Sequence, residues 1–459
     1  MSTHSCVISP HLKNELSPHA SGGDSKYGRM FPHLHAPAID DKILRSLGRA
    51  GSAMDISDAE EESTSRDNPR IPAGFTFFGQ FIAHDITADR SLLAHHARLK
   101  ELRNFRQPRL DLECVYGSGP GGDPFFYDLD DPDKLLLGVN DIKEPNDVPR
   151  NQQGLALVAD KRNDVHLFIS QLHLAFLKFH NRVIDEVRRQ GVAPDDVFRE
   201  AQRIVRWHHQ WIVVNEFLPL TVGEKTMHDI LDHGPRYFGA KPGQQPYIPV
   251  EFADAAYRFG HSQIRPRYTL NGQGAKGNVF PDFAGTNPVD HGRVIDWTYF
   301  FTIPGRSTPQ ASKLIDTTMA HSLMDLPERV VGSTDTPEEK SLAYRDLGRG
   351  SALDLPSGEA VARFIGAQPL SREEVGLNAQ GWHSDTPLWY YLLKEAEVQN
   401  DGEFMGEVGG RIIAEVLLGL ITADPTSYWH ADDDWKPTLP ATQEGQFTIA
   451  DLLSFAGAV

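Results

Sequence analysis

One short run, Gly79-Gln80-Phe81-Ile82-Ala83-His84-Asp85-Ile86-Thr87, collects four polar side chains inside an apolar frame. If the run is helical, Gln80 and His84 stand four residues apart on one face, while Phe78, Phe81 and Ile82 anchor the segment against a core. An imidazole aimed in this way can take up and return a proton near neutral pH, which suits a histidine beside a cofactor. Taken alone, the nine residues read first as a buried histidine satisfied by its neighbours.

Three later segments reverse that reading: Ala159-Asp160-Lys161-Arg162-Asn163-Asp164, then the stretch from His173 to His180-Asn181-Arg182, then Tyr257-Arg258-Phe259-Gly260-His261. In this order and spacing the chain resembles the animal-type haem peroxidases of the peroxidase–cyclooxygenase superfamily, with most likeness to their bacterial branch. In that family a G-Q-x-x-x-H-D helix supplies the distal histidine. An arginine shortly before an L-H-x-x-x-L-x-x-x-H-N-R helix is the distal arginine, and R-[YF]-G-H supplies the iron ligand. Further matches at Arg109 to Leu112, Val115 to Gly117, Glu216 to Leu220, Leu355 to Gly358 and Gly409 to Ile412 carry the likeness from about residue 70 to 430.

The resemblance implies a peroxidase that reduces hydrogen peroxide through a ferryl intermediate and oxidises an organic or halide reductant. His84 would move the proton between the peroxide oxygens, and Arg162 would stabilise charge on the departing one. Without the likeness, Arg162 reads as an ion pair with Asp160 or Asp164. His261 would ligate the iron of haem b, with Gly260 allowing close approach of a porphyrin. Arg258 would meet a haem propionate, and otherwise reads as a solvent-facing arginine. Family members place an Asn against the ligand's second nitrogen just after a D-L-P-type turn. Aligning Asp354-Leu355-Pro356 puts Glu359 there, where it would act as a stronger acceptor or stand as an exposed carboxylate early in a helix. Gln80 takes the position associated with halide binding, or serves as an outer hydrogen-bond donor.

Departures from the family sharpen the expectation. Mammalian members esterify haem to an Asp just before the distal histidine and a Glu three residues after the distal arginine, places held here by Ala83 and Val165. Neither side chain can form an ester, so the haem is expected to be non-covalent. Asp85 matches one ligand of the family's calcium site, whose remaining loop is not recognisable; a local cap or pair explains Asp85 equally. Cyclooxygenase-type relatives carry a radical-forming Tyr three residues before the iron ligand, where this chain has Arg258 and, one step back, Tyr257. The alternatives are a dioxygenase of that branch and a haem-binding protein with little turnover; retention of both His84 and Arg162 argues against the latter. His173 and His180 read as structural hydrogen-bonding positions, and His95-His96 and His208-His209 as no site, since zinc would need a third clustered ligand.

The elements that must hold these groups are mostly helical. Leu172, Phe176, Phe179, Val183 and Val187 recur at three- and four-residue steps, predicting a helix near Val165 to Arg189. A second starts after Asp195-Asp196 and runs through Trp211 to a stop at Pro219. Further helical patterns lie at Ser357 to Phe364, Pro387 to Glu397 and Gly410 to Ile421. Ser57 to Arg70 is polar and acidic, and Pro120 to Arg150 reads as loop with a short hairpin. The expected fold is mainly α with few short strands around a buried haem. It comprises a mobile arm over 1–30, rich in Ser, His, Gly and Lys, and one domain over 31–459.

Composition excludes other classes. The 459 residues carry 45 Lys plus Arg against 63 Asp plus Glu, a formal charge of -18 that repels nucleic acid and anionic membranes. No run of about 18 apolar residues reads as a membrane span, and the first residues lack the pattern of a Sec-type signal. Cys6 and Cys114 cannot build a disulfide framework. The expectation is a soluble protein, cytoplasmic or exported without a Sec signal, whose partners are hydrogen peroxide and a small reductant.

Overall fold

The computed structural model describes residues 27–56, 63–88, 104–239, 246–285, 288–378, 382, 384–431 and 435–459. The expected arm lies outside these up to residue 26, and so does His95-His96. Residues 27–30 are pinned rather than loose. Tyr27–Gly28 pairs in parallel with Ile248–Pro249, Arg29 donates to the carbonyls of Leu353 and Asp354, and Met30 donates its backbone N–H to Glu251. Tyr27, Met30 and Phe31 are buried, so apolar burial ties this segment to the domain.

Two helices form the frame of the site. Leu167–Arg189 contains the expected apolar stripe; it is capped by His166, whose ring accepts from the Ile169 N–H, and it ends on Arg188 and Arg189 near the negative end of the helix. Helix Gly74–Ile86 buries eleven of its thirteen residues. Phe77 stacks on Phe168 with centroids 4.4 Å apart, and Phe81 on Phe176 at 4.5 Å, so aromatic faces lock the two helices together at two levels. Truncating Phe81 to Ala would remove one lock at a cost of about 3–5 kcal/mol. Gly79 has a steric role, because a Cβ there would stand 3.2 Å from the Phe217 ring.

Helix Val197–Ile212 follows, but the helical path does not stop at Pro219. It continues through the π-helical turn Val213–Phe217 and helix Leu218–Val222 to Gly223, whose φ of 77° ends it. Pro219 is tolerated because it occupies a first turn, where its missing N–H has no helical acceptor to lose. The other expected helices are present as Gly358–Ile365, Leu388–Asn400 and Glu407–Ala423.

Strands among the described residues are short and paired two by two. Asp67–Pro72 runs antiparallel to Ala311–Lys313, within a stretch whose polarity suggested no element. Side-chain bonds replace apolar burial here. Asn68 accepts from Arg70 and Ile71 and donates to the carbonyl of Glu403, while Asp67 meets Arg265 and Lys313. Between residues 120 and 150 the chain forms short helical turns and isolated bridges, including Tyr127 with Leu135 and Gly138 with Asp147. No described helix is long and apolar enough to cross a membrane.

Candidate active site

A cavity enclosing about 1230 Å³ of atom-free space, part of it open to solvent, lies between helix Gly74–Ile86 and the 3₁₀ helix Ala256–His261. Gln80, Ala83, His84 and Val165 line it, and so do Arg258, Gly260 and His261. Residues 180 positions apart in sequence thus face one space. The rest of the wall is chiefly aromatic and aliphatic, and it carries no carboxylate and no sulfur atom among the described residues.

His84 is buried, with Nδ1 2.7 Å from Oδ1 of Asn163. The amide nitrogen of Asn163 stands 3.0 Å from Nδ1 of His173 on helix Leu167–Arg189. Burial, aided by the positive charge of Arg162, lowers the His84 pKa to about 3, so the ring is neutral across the ordinary pH range. Gln80 joins a second buried imidazole, with its Oε1 2.9 Å from Nε2 of His166. Because His166 Nδ1 accepts from Ile169, Nε2 carries the proton, and the Gln80 oxygen must be the acceptor.

Arg162 is buried but does not line the cavity. Its Nε and Nη2 donate to Asp160 at 2.9 and 2.7 Å, and Nη2 also meets the carbonyls of His84 and Thr87. The ion pair with Asp160 read from the sequence exists, in the interior rather than at the surface. It clamps the C-terminal end of the His84 helix, where carbonyls lack helical partners. Nη1 of Arg162 is buried without a partner.

Elsewhere on the wall, His261 Nδ1 is 2.5 Å from Asp346, a fully buried carboxylate on helix Leu342–Ala352. The other Asp346 oxygen accepts from Arg258 at 2.6 Å, and Arg258 also donates to Asp254 at 2.8 Å. Two sequence expectations change here. The Arg258 guanidinium is committed to two carboxylates and the Ala253 carbonyl rather than offered to a ligand. Glu359 does not reach His261. Its oxygens accept from the hydroxyl and N–H of Thr386, at 2.6 and 2.9 Å, because the helix beginning at Gly358 turns its first residues toward that loop. Asp346 holds the place expected of Glu359. The sequence reading missed it, and the signal was an Asp between Arg345 and Arg349 in a helix that buries all three.

Two further candidate residues have local partners. Asp164, nearest in sequence to an ester position, gives both oxygens to Arg150 at 2.8 Å. Asp85 accepts from the N–H groups of Leu112 and Cys114 at 2.9 and 3.2 Å, which aims backbone donors at the oxygens a cation would need. Burial pushes its pKa up to about 8. His180 is also structural, bonded to the Tyr116 hydroxyl and the Asp133 carbonyl.

Two features of the wall fit a bound ligand. A Cβ added to Gly260 would meet only Thr76, at 4.0 Å, so the glycine opens on the cavity. The hydroxyls of Thr76 and Tyr257, both on residues of the wall, are buried without partners. Orphan buried hydroxyls are uncommon in a finished interior and fit a wall completed by a ligand.

Comparison with known proteins agrees with this geometry. Residues 94–284 match the family described as animal haem peroxidase. The chain is 24% identical to chorion peroxidase of Aedes aegypti, over 97% of this chain and 65% of that protein. It spans less than two thirds of the length of the curated relatives it matches. Among solved structures it is similar to peroxidase A from Dictyostelium discoideum, with a TM-score of 0.61 at 16% identity over 88% of this chain and 87% of that one. A fatty acid alpha-dioxygenase from Oryza sativa gives 0.60 at 15% identity over 85% of this chain and 73% of that one. The helical fold is the one shared by these peroxidases and dioxygenases.

Proposed function

We propose that this chain is an animal haem peroxidase, a reading supported by the match over residues 94–284, and that it reduces hydrogen peroxide and oxidises a small organic or halide reductant. The observation that carries the proposal is the placing of His84 and His261 on the wall of one largely apolar cavity. When bound, haem b would supply the iron at which peroxide is reduced and the oxidising equivalents that pass to the reductant.

His261 would hold the iron through Nε2, since its Nδ1 is taken by Asp346. Apolar residues such as Phe252, Phe259 and Val279 would enclose the macrocycle. With Arg258 committed elsewhere, Arg345 is the wall arginine proposed for a propionate. On the other side, neutral His84 would take a proton from one peroxide oxygen and return it to the other. Arg162 would add positive charge from behind His84, with Nη1 its unpartnered nitrogen. Gln80, whose oxygen is taken by His166, would offer its amide nitrogen as a donor to peroxide or a halide.

The absence of a carboxylate or sulfur atom from the wall among the described residues, with Ala83 and Val165 at the two ester positions, supports haem held without a covalent bond. Calcium is assigned no role at Asp85, given its backbone donors. One observation favours the dioxygenase as second reading: Tyr257 lines the cavity with its hydroxyl unpartnered, stacked on Phe252 at 4.6 Å.

The test is the optical spectrum of the purified protein, before and after peroxide, with turnover of a phenol or halide. Acid-acetone should release the haem. A haem adduct on the denatured chain would overturn the non-covalent assignment. Oxygen uptake with an unsaturated fatty acid, without peroxide turnover, would replace the peroxidase by the dioxygenase.

A further inference from the structure

Three buried groups behind the cavity are linked in a line whose purpose the proposed reaction does not state: His84, Asn163 and His173. They come from separate elements, helix Gly74–Ile86, the 3₁₀ helix Lys161–Asp164 and helix Leu167–Arg189, and none is more than 4% exposed. A neutral imidazole exists as two tautomers, and only the one protonated on Nδ1 leaves a lone pair on Nε2. For a base reached through Nε2, the other tautomer is inactive until its proton moves.

We infer that Asn163 is a positioning residue that holds His84 in the Nδ1–H tautomer, and that His173 sets which way the Asn163 amide faces. The inference rests on the proposed peroxidase reading and adds what makes His84 competent in it. A carboxamide has one end that only accepts and one that only donates. With Oδ1 at 2.7 Å from His84 Nδ1, that nitrogen must carry the proton. With the amide nitrogen at 3.0 Å from His173 Nδ1, that ring must carry its own proton on Nε2. Reversing the amide would demand the opposite tautomer of both rings at once, so the choice is cooperative across the three groups.

The surroundings hold the relay in place. Asp160 accepts the backbone N–H of Arg162, and its carbonyl accepts that of Asn163 at 2.9 Å, which fixes the turn from which the amide projects. The Arg162 guanidinium ties the same turn to the carbonyl of His84. The face of His173 is screened by Phe81, with centroids 6.3 Å apart.

The test uses the haem-loaded protein with nitrogen-15 histidine, reduced and bound to carbon monoxide so that the iron is diamagnetic. Two-bond proton–nitrogen spectra should place the His84 proton on Nδ1 and the His173 proton on Nε2. Asn163→Ala should slow the reaction with peroxide on the order of 10–100-fold, the range for losing a group that orients a reactive imidazole. The haem content and the resting spectrum set by His261 should not change. Asn163→Asp retains an acceptor toward His84, fixes the same Nδ1–H tautomer and should react faster than the Ala variant. A His84 proton on Nε2 in the parent protein would overturn the inference, and so would an Ala variant that reacts at the parent rate. If the Ala variant does not fold, the parent spectrum still decides. Correct tautomers in a parent that ignores peroxide would instead sink the peroxidase reading and leave the relay standing.

Discussion

His84 and His261, both on the cavity wall, are backed by different chemistry. His84 leans on an amide in a neutral line of Asn163 and His173, while His261 leans on the carboxylate of Asp346 inside a network with Arg258, Asp254 and Arg349. An amide takes a hydrogen bond without pulling strongly on the proton, so the imidazole keeps its neutral form and its free lone pair. A carboxylate pulls harder and makes the far nitrogen a better donor to a metal. Arg258 tempers that pull by sharing Asp346. Under the proposed function, similar side chains would thus serve different tasks, proton transfer at His84 and ligation at His261.

Deleting each histidine should separate the two tasks most sharply. His261→Ala should abolish normal haem loading, whereas His84→Ala should keep the haem and slow the reaction with peroxide by at least ~100-fold, the usual loss when a general acid–base is removed. Haem titration and stopped-flow spectra measure both. Undiminished loading in the first variant, or the parent rate in the second, would erase the assigned difference.

Making the two backings alike is the next test. Asp346→Asn gives His261 an amide like that behind His84, and the weaker acceptor should raise the reduction potential of the bound haem. It also removes one of the two carboxylates that hold the buried Arg258, at a cost of about 3 kcal/mol in unfolding free energy. Spectroelectrochemistry and denaturant melts read the two effects. An unchanged potential would mean that Asp346 serves the arginine alone.

How much of this contrast was legible in the sequence depends on how local each signal was. The helix Leu167–Arg189 could be read because its apolar period lies within one element. His84 and His261 could be read because each sits in its own short motif. Asp346 could not be assigned in that way, since its bond to His261 joins residues 85 apart and no local spacing encodes it. The search for an acceptor after Asp354-Leu355-Pro356 ended on Glu359, a residue of the right chemistry on the wrong side of a turn in which Asp354 itself has a φ of 50°. Asn163 lay within a quoted motif, yet its role depends on His84, 79 positions earlier, and His173, 10 later. Pro219 misled for a simpler reason: its effect on a helix depends on whether it falls in a first turn or an interior one.

A third histidine gives the smallest and finest test, because nothing backs it at all. His209 is fully buried with both ring nitrogens unpartnered, and Phe78, Phe81 and Phe176 surround it at 5.5–6.3 Å. Burial lowers the pKa of His84, His166 and His209 to about 3 and that of His173, His180 and His208 to about 4. Between those values and about 6.5 the unfolded chain binds protons that the fold refuses, so stability falls as pH drops through that window. Buried carboxyls act in the opposite sense. Asp85 and Glu216 are raised to about 8, Glu395 to about 7, and Asp111 and Asp254 to about 6, so the fold keeps protons that the unfolded chain has released, and stability falls as pH rises. Six imidazoles outweigh five carboxyls below about pH 6, and the carboxyls prevail once the imidazoles of the unfolded chain have released their protons above about 6.5, so stability peaks between the two limbs. His209→Phe should leave the basic limb unchanged and make the acid limb shallower by about one proton's worth. It should also add roughly 1 kcal/mol at neutral pH by removing an unsatisfied buried N–H. Urea melts from pH 5 to 8 measure all three effects. An acid limb as steep as the parent's would show that His209 finds a proton partner in the fold, and that burial alone does not set the behaviour of an unbacked imidazole.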